Sequence, residues 1–261
     1  MIFPKKSLGQ NFLIDKNIIK KIVNLTDINN KDVIEIGPGK GELTDQILSN
    51  KPKSLQIIEK DSNLFKILKL KYSNNKILKI YNSDILKFNL EQITNKGSII
   101  FGNLPYNISS QILVKIIKFR NWPPRYSNLV FMFQKELGDK ILGKYSSKNY
   151  GRLSIITHYR LKLFNKFLVS PNSFFPRPKI NSVVLHLVPK YDKNFKIKNI
   201  DNLEKVTNIL FSNKREMIKK SIEKILNINN LKKIEEIDLS SRPSNLKPEI
   251  YYRITELYEK V

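Results

Sequence analysis

The first half of the chain alternates short β-branched runs with amphipathic segments. Ile18, Ile19, Ile22 and Val23 recur at the spacing of one helical face. Residues 32–36, 55–59, 77–81, 99–101 and 129–133 read as strands, with helices expected over 42–48, 61–70 and 110–117. Strands alternating with helices predict an α/β fold, a parallel sheet covered by helices. Residues 182–188 alternate like a strand close to a sheet edge. Gly37-Pro38-Gly39, Trp122-Pro123-Pro124 and Pro176-Arg177-Pro178 punctuate the joins. Beyond Pro189 a lysine-rich stretch over 190–199 suits a linker. Residues 203–211, 217–226 and 250–257 then have helical spacing and no strand pattern. The expected organisation is therefore an α/β domain over 1–190 and a small all-helical domain over 191–261.

Val33 to Gly41 forms a strand, a glycine turn and the start of a helix, the place where a doubly wound sheet binds a nucleotide-like ligand. The glycines are spaced G-x-G-x-G, with Pro38 between the first two. A dinucleotide fingerprint needs G-x-G-x-x-G, and a P-loop needs Gly-Lys-Ser/Thr. Gly37 and Gly39 instead suit a ligand whose amino-acid part lies against backbone, with no phosphate. Glu59, at the end of the next strand, can accept hydrogen bonds from both hydroxyls of an adenosine ribose. Asp84, after the third, can accept from an adenine amino group. An acid after a strand is more often a helix cap or a solvated turn. The ordered set at successive strand ends is what describes an S-adenosylmethionine pocket.

Residues 99–102 deliver Asn103-Leu104-Pro105-Tyr106 at the carboxyl end of a short apolar strand. Asn and Pro are common turn residues, yet these four types also meet a chemical need. The lone pair of adenine N6 is delocalised into the ring. Asn103 Oδ1 and the Leu104 or Pro105 carbonyl can accept from the two N6 hydrogens, favouring a pyramidal nitrogen as charge develops. Pro105 fixes the backbone, and Tyr106 can stack on the base. A sulfonium is already an excellent leaving group, so no metal is expected.

Composition agrees. The chain has no cysteine and two histidines, excluding thiolate chemistry and disfavouring a His-rich metal centre. Its 261 residues carry 47 Lys and Arg against 23 Asp and Glu, a net charge of +24 that attracts polyanions. Residues 115–179 hold 14 basic and two acidic side chains, a net of +12, and residues 190–261 contribute only +5. No run of 18 apolar residues and no signal-like apolar region occurs. The expectation is a cytoplasmic protein without membrane contact, and nothing demands more than a monomer.

Four motifs occur in order: residues 5–13 (Lys-Lys-Ser-Leu-Gly-Gln-Asn-Phe-Leu), 35–44 (Glu-Ile-Gly-Pro-Gly-Lys-Gly-Glu-Leu-Thr), 101–108 (Phe-Gly-Asn-Leu-Pro-Tyr-Asn-Ile) and 174–182 (Phe-Phe-Pro-Arg-Pro-Lys-Ile-Asn-Ser). With residues 150–154 they span nearly the whole chain. In this it resembles the ribosomal RNA adenine N6-dimethyltransferase family, nearest its bacterial small-subunit members. The resemblance implies a Rossmann-like S-adenosylmethionine-dependent methyltransferase domain and a helical domain that binds RNA or the ribosome. It implies that Asn11 and Leu13 cover the cofactor, that Gly37, Glu59, Asp84 and Asn103 line its pocket, and that Phe174 faces the target base opposite Tyr106. The implied substrate is two adjacent adenines in a hairpin loop near the 3′ end of 16S small-subunit RNA, in an immature subunit, each methylated twice. Relatives often carry a longer basic segment before the position of Lys5, so an RNA contact there is expected to be reduced. An Erm-type large-subunit adenine methyltransferase and a non-catalytic assembly factor are the alternatives. The 174–182 stretch and residues 214–220 disfavour the first; intact Asn103, Pro105 and Tyr106 disfavour the second.

Overall fold

The computed structural model describes residues 9–190, 194–234 and 237–260. Residues 5–8 of the first motif, and 191–193 of the expected linker, lie outside them. In chain order the elements are β1 (Phe12–Leu13), α1 (Lys16–Val23), β2 (Asp32–Ile36), α2 (Glu42–Ser49), β3 (Ser54–Glu59), α3 (Ser62–Lys71), β4 (Leu78–Asn82), α4 (Leu90–Ile93), β5 (Ser98–Asn103) and α5 (Ser109–Ile117). There follow β6 (Tyr126–Gln134), α6 (Lys135–Ile141), α7 (Arg152–Arg160), β7 (Leu161–Val169), β8 (Phe174–Phe175), β9 (Ser182–Pro189), α8 (Ile200–Leu210), α9 (Lys219–Ile222), α10 (Ile228–Leu231) and α11 (Pro248–Tyr258).

Seven strands form one sheet in the order β4-β3-β2-β5-β6-β9-β7, parallel from β4 to β6 with β9 antiparallel to β6. Strands covered on both faces read as continuous apolar runs. Val33, Ile34, Leu55, Ile57, Ile100 and Phe101 are all fully buried. Register places the candidate residues. Ile36 lies opposite Ile58 on one side and Gly102 on the other. The next residues, Gly37, Glu59 and Asn103, therefore emerge together at the carboxyl edge, where the strand order reverses between β2 and β5. Asp15 and Asp61 begin their helices by accepting backbone N–H bonds, Asp15 from Asn17 and Ile18 and Asp61 from Asn63. This is an α/β Rossmann-like arrangement.

The chain divides into two compact units, residues 1–138 with 162–189, and 139–161 with 190–261. The second unit thus takes residues 139–161 in addition to the expected 191–261. Within it the Tyr252 hydroxyl donates to the Ile155 carbonyl at 3.1 Å, and Tyr150 to Leu246 at 2.9 Å. The Tyr251 ring stacks on Phe211. These long-range contacts tie α7 and the residues just before it to α11 and the residues just before that helix. The helix expected over 217–226 is confined to α9, and turns follow it, with the Ile225 and Leu226 amides both donating to Ile222. No helix among the described residues is long and apolar enough to cross a membrane.

Candidate cofactor and adenine site

One cavity at the carboxyl edge of the sheet is lined by Asn11, Leu13, Gly37, Gly39, Glu59, Asp84, Asn103, Pro105 and Tyr106. Five chain segments that are far apart in sequence thus supply nine of the ten expected site residues.

The glycine loop adopts a conformation that side chains resist. Gly37 and Gly39 have φ of 71° and 59°. A Cβ at Gly39 would lie 2.9 Å from Phe12 Cδ1, so the N-terminal segment packs where a side chain would stand. The Gly37 amide donates to the Ile58 carbonyl at 3.0 Å, joining the loop to β3.

Glu59 is 7% exposed. Its Oε2 accepts from the Gly39 amide at 3.3 Å and its Oε1 from the Asp61 amide at 2.8 Å. Burial pushes its carboxyl up, and the backbone N–H bonds oppose that shift. Each oxygen has capacity for a further donor, so a diol at this end of the cavity meets a fixed acceptor. Asp84 pairs with Lys60 at 2.9 Å and accepts from the Leu86 amide at 3.0 Å. The Lys60 ammonium holds its carboxyl below the usual range. A nucleoside fits a cavity that offers two carboxylates, Glu59 and Asp84, together with apolar Ile36, Leu64 and Ile85.

Asn103 ends β5, and its Nδ2 donates to the Asn11 carbonyl at 3.0 Å. The amide is thereby oriented with Oδ1 as its remaining acceptor. The Tyr106 hydroxyl is 2.6 Å from Ser182 Oγ, which pins the ring at its far end. Burial raises its pKa, so it stays neutral.

Phe174 is not on the cavity. It is 3% exposed, belongs to the hydrophobic cluster containing Leu13, Ile19 and Val169, and pairs in register with Leu13. To face a base, as the resemblance implies, it would have to leave this cluster. Its neighbour Phe175 is the exposed ring, at 54%.

Among the lining residues that received no role from the sequence, three make notable contacts. Phe12 packs at the glycine loop, with Lys40 Nζ 5.0 Å from its ring centroid. Gln10 donates to Asp61 at 3.4 Å. Glu35 is 1% exposed and accepts from the Thr44 hydroxyl at 2.6 Å. Desolvation pushes its carboxyl up to about 8. Its signal was available: a lone acid within the apolar string Val33-Ile34-Glu35-Ile36 is one that the fold must bury.

Residues 3–260 match the family described as Ribosomal RNA adenine dimethylase. A ribosomal RNA small subunit methyltransferase A from Pelagibacter ubique is 46% identical over 256 residues, 98% of this chain and 97% of that one. A protein of the same description from a Wolbachia of Brugia malayi is 39% identical, covering 86% of this chain and 85% of its own. Among solved structures, a dimethyladenosine transferase from Plasmodium falciparum superposes with a TM-score of 0.79 at 27% identity, covering 95% and 98% of the two chains. The 23S rRNA methyltransferase ErmE, with a TM-score of 0.69 at 21% identity, covers 95% and 99% and shares the fold.

Proposed function

The chain belongs to the ribosomal RNA adenine dimethylase family, and from that premise we propose that it dimethylates N6 of two adjacent adenines in a hairpin loop near the 3′ end of 16S small-subunit ribosomal RNA. The observation that carries this reading is Asn103. Its Nδ2 is committed to the Asn11 carbonyl, which leaves Oδ1 to accept from an incoming amino group.

S-adenosylmethionine, when bound, supplies an electrophilic methyl carbon on a sulfonium leaving group. Gly37 and Gly39 would hold its amino-acid part against backbone, Glu59 its ribose hydroxyls and Asp84 its adenine. Asn11 and Leu13 would cover it. The remaining chemistry is positioning. The target adenine leaves its stack to enter the cavity. Asn103 Oδ1 and the Leu104 or Pro105 carbonyl accept its two N6 hydrogens, localising the lone pair on nitrogen as positive charge develops. Tyr106 stacks on the base, its ring fixed through Ser182. The helical unit would dock the immature subunit, and a cytoplasmic monomer suffices for each of these steps.

The test is methylation of undermethylated small subunits with labelled cofactor, followed by mapping of the modified nucleotides. Label on two adjacent adenines of 16S RNA is expected. Label in large-subunit RNA would select an Erm-type activity, and none at all a non-catalytic assembly factor.

A further inference from the structure

Strand β7 ends the seven-stranded sheet, and an edge strand normally hides its apolar side chains. Here five consecutive residues, 162–166, are exposed. Successive strand residues face opposite sides, so Lys162, Phe164, Lys166 and Leu168 share one face. Phe164 is 69% exposed and Leu168 57%. An exposed aromatic thus stands between two cations on an edge strand.

The partner chemistry follows from charge and from how Phe164 is held. No acidic residue occurs between Asp139 and Asp192, a stretch that contains all of β7, β8 and β9. Neither Lys162 nor Lys166 makes an ion pair among the described residues. The Phe164 ring lies edge-on to His186 of β9, with centroids 5.0 Å apart. His186 is itself fixed by a 2.7 Å bond between its Nε2 and Asn128 Oδ1 on β6. Burial lowers the His186 pKa, so the ring beneath Phe164 is a neutral support. Phe164 is thus braced on one side and open on the other, as a stacking platform requires.

We propose that this face of β7 is a docking strip for a single strand of RNA, with Lys162 and Lys166 on phosphates and Phe164 stacked against a base. At about 3.3 Å per residue the two lysines stand about 13 Å apart with the ring midway, so a base stacked on Phe164 would have a cation on either side for its flanking phosphates. An apolar protein partner would gain nothing from the interleaved cations. The strip rests on the reading of ribosomal RNA as substrate, and it lies outside the residues assigned to cofactor and target base.

The experiment uses the full chain and a fluorescent RNA hairpin carrying the two-adenine loop and its single-stranded flank. Binding is followed by anisotropy across a salt series. Removing two phosphate contacts in the K162Q/K166Q variant should reduce the log–log salt slope by about 1.4. Phe164→Ala should weaken binding by about five- to about 160-fold. The K66Q/K69Q variant, which removes the same charge from exposed positions of α3, should leave the slope within about 0.3 of wild type, less than half of one contact. Wild-type affinity and slope in both strip variants would overturn the proposal, as would equal losses in the α3 control. Binding is read apart from methyl transfer. An unlabelled small-subunit RNA would therefore count against the proposed function alone, while the anisotropy series would still decide whether β7 holds RNA.

Discussion

The side-chain amide of Asn103 donates to the main-chain carbonyl of Asn11 across 3.0 Å, joining positions 92 residues apart. The bond decides which way the amide faces. On the proposed function, it makes the segment that would cover the cofactor and the acceptor for the adenine parts of one contact.

Asn103→Ala should therefore lower the methyl-transfer rate by at least a hundredfold, in the range seen when a preorganised polar group is removed from an active site. Cofactor affinity should fall by less than tenfold, since Glu59 and the glycine loop remain. Single-turnover methylation and calorimetry separate the two effects. Equal turnover in the variant would remove Asn103 from the chemistry.

Glu59 carries the opposite pattern. Its two oxygens already hold the Gly39 and Asp61 amides, and a ribose would use the capacity that remains. Glu59→Ala should weaken cofactor binding by tenfold or more through the lost acceptors. RNA affinity should not change. Unaltered cofactor affinity by calorimetry would refute the ribose assignment.

The glycine positions can be set against one another. Gly39 and Gly97 both have positive φ, at 59° and 81°. A Cβ at Gly97 meets nothing within 4 Å, whereas one at Gly39 meets Phe12 at 2.9 Å. Gly97→Ala should cost only the backbone term, about 1 kcal/mol in urea unfolding. Gly39→Ala should cost a similar amount and in addition reduce cofactor affinity, because Phe12 must move. Identical cofactor affinities in the two variants would contradict this.

Glu35 gives a signed pH dependence. Its pKa is pushed from the ordinary 4.5 to about 8 in the folded chain. A raised folded pKa favours the protonated fold, so the contribution is fully present below pH 4.5 and is lost as pH rises through 8. Its ceiling is on the order of several kcal/mol. Glu35→Gln keeps an acceptor for Thr44 and removes the titration. The stability of the variant relative to wild type should rise between pH 5 and 8.5 in urea melts. Parallel curves would mean that Glu35 titrates normally.

The parallel sheet and glycine loop were legible because burial on both faces writes continuous apolar runs between turn residues. The position of Glu59 and Asp84 on the cavity was legible because the strand ends that carry them are themselves marked. β7 was not: Leu-Lys-Leu-Phe-Asn-Lys-Phe-Leu-Val alternates poorly, since an exposed edge imposes no inward face. The burial of Phe174 was hidden for a related reason. Two adjacent phenylalanines on a strand must point to opposite sides, and only the pairing of Leu13 with Phe174 decides which one is buried. Residues 139–161 join the helical unit through tyrosine hydroxyls bonding to carbonyls about a hundred positions away, a relation with no local pattern.

The short ladder between β1 and β8 also has a consequence for biosynthesis. It pairs Phe12 with Phe175 and Leu13 with Phe174, and the Ile14 amide donates to the Ser173 carbonyl. Contacts of such sequence separation form late, after the intervening chain exists and its loop-closure entropy has been met. A nascent chain can complete its sheet from β2 to β6 and still lack a settled cover over the cavity until residue 175 has been made. Chains truncated before Ser173 would retain the glycine loop, Glu59, Asp84 and Asn103, yet Asn11 to Leu13 would have no partner strand to hold them in place. Phe12 and Leu13 thus depend for their placement on a strand made about 160 residues farther along the chain.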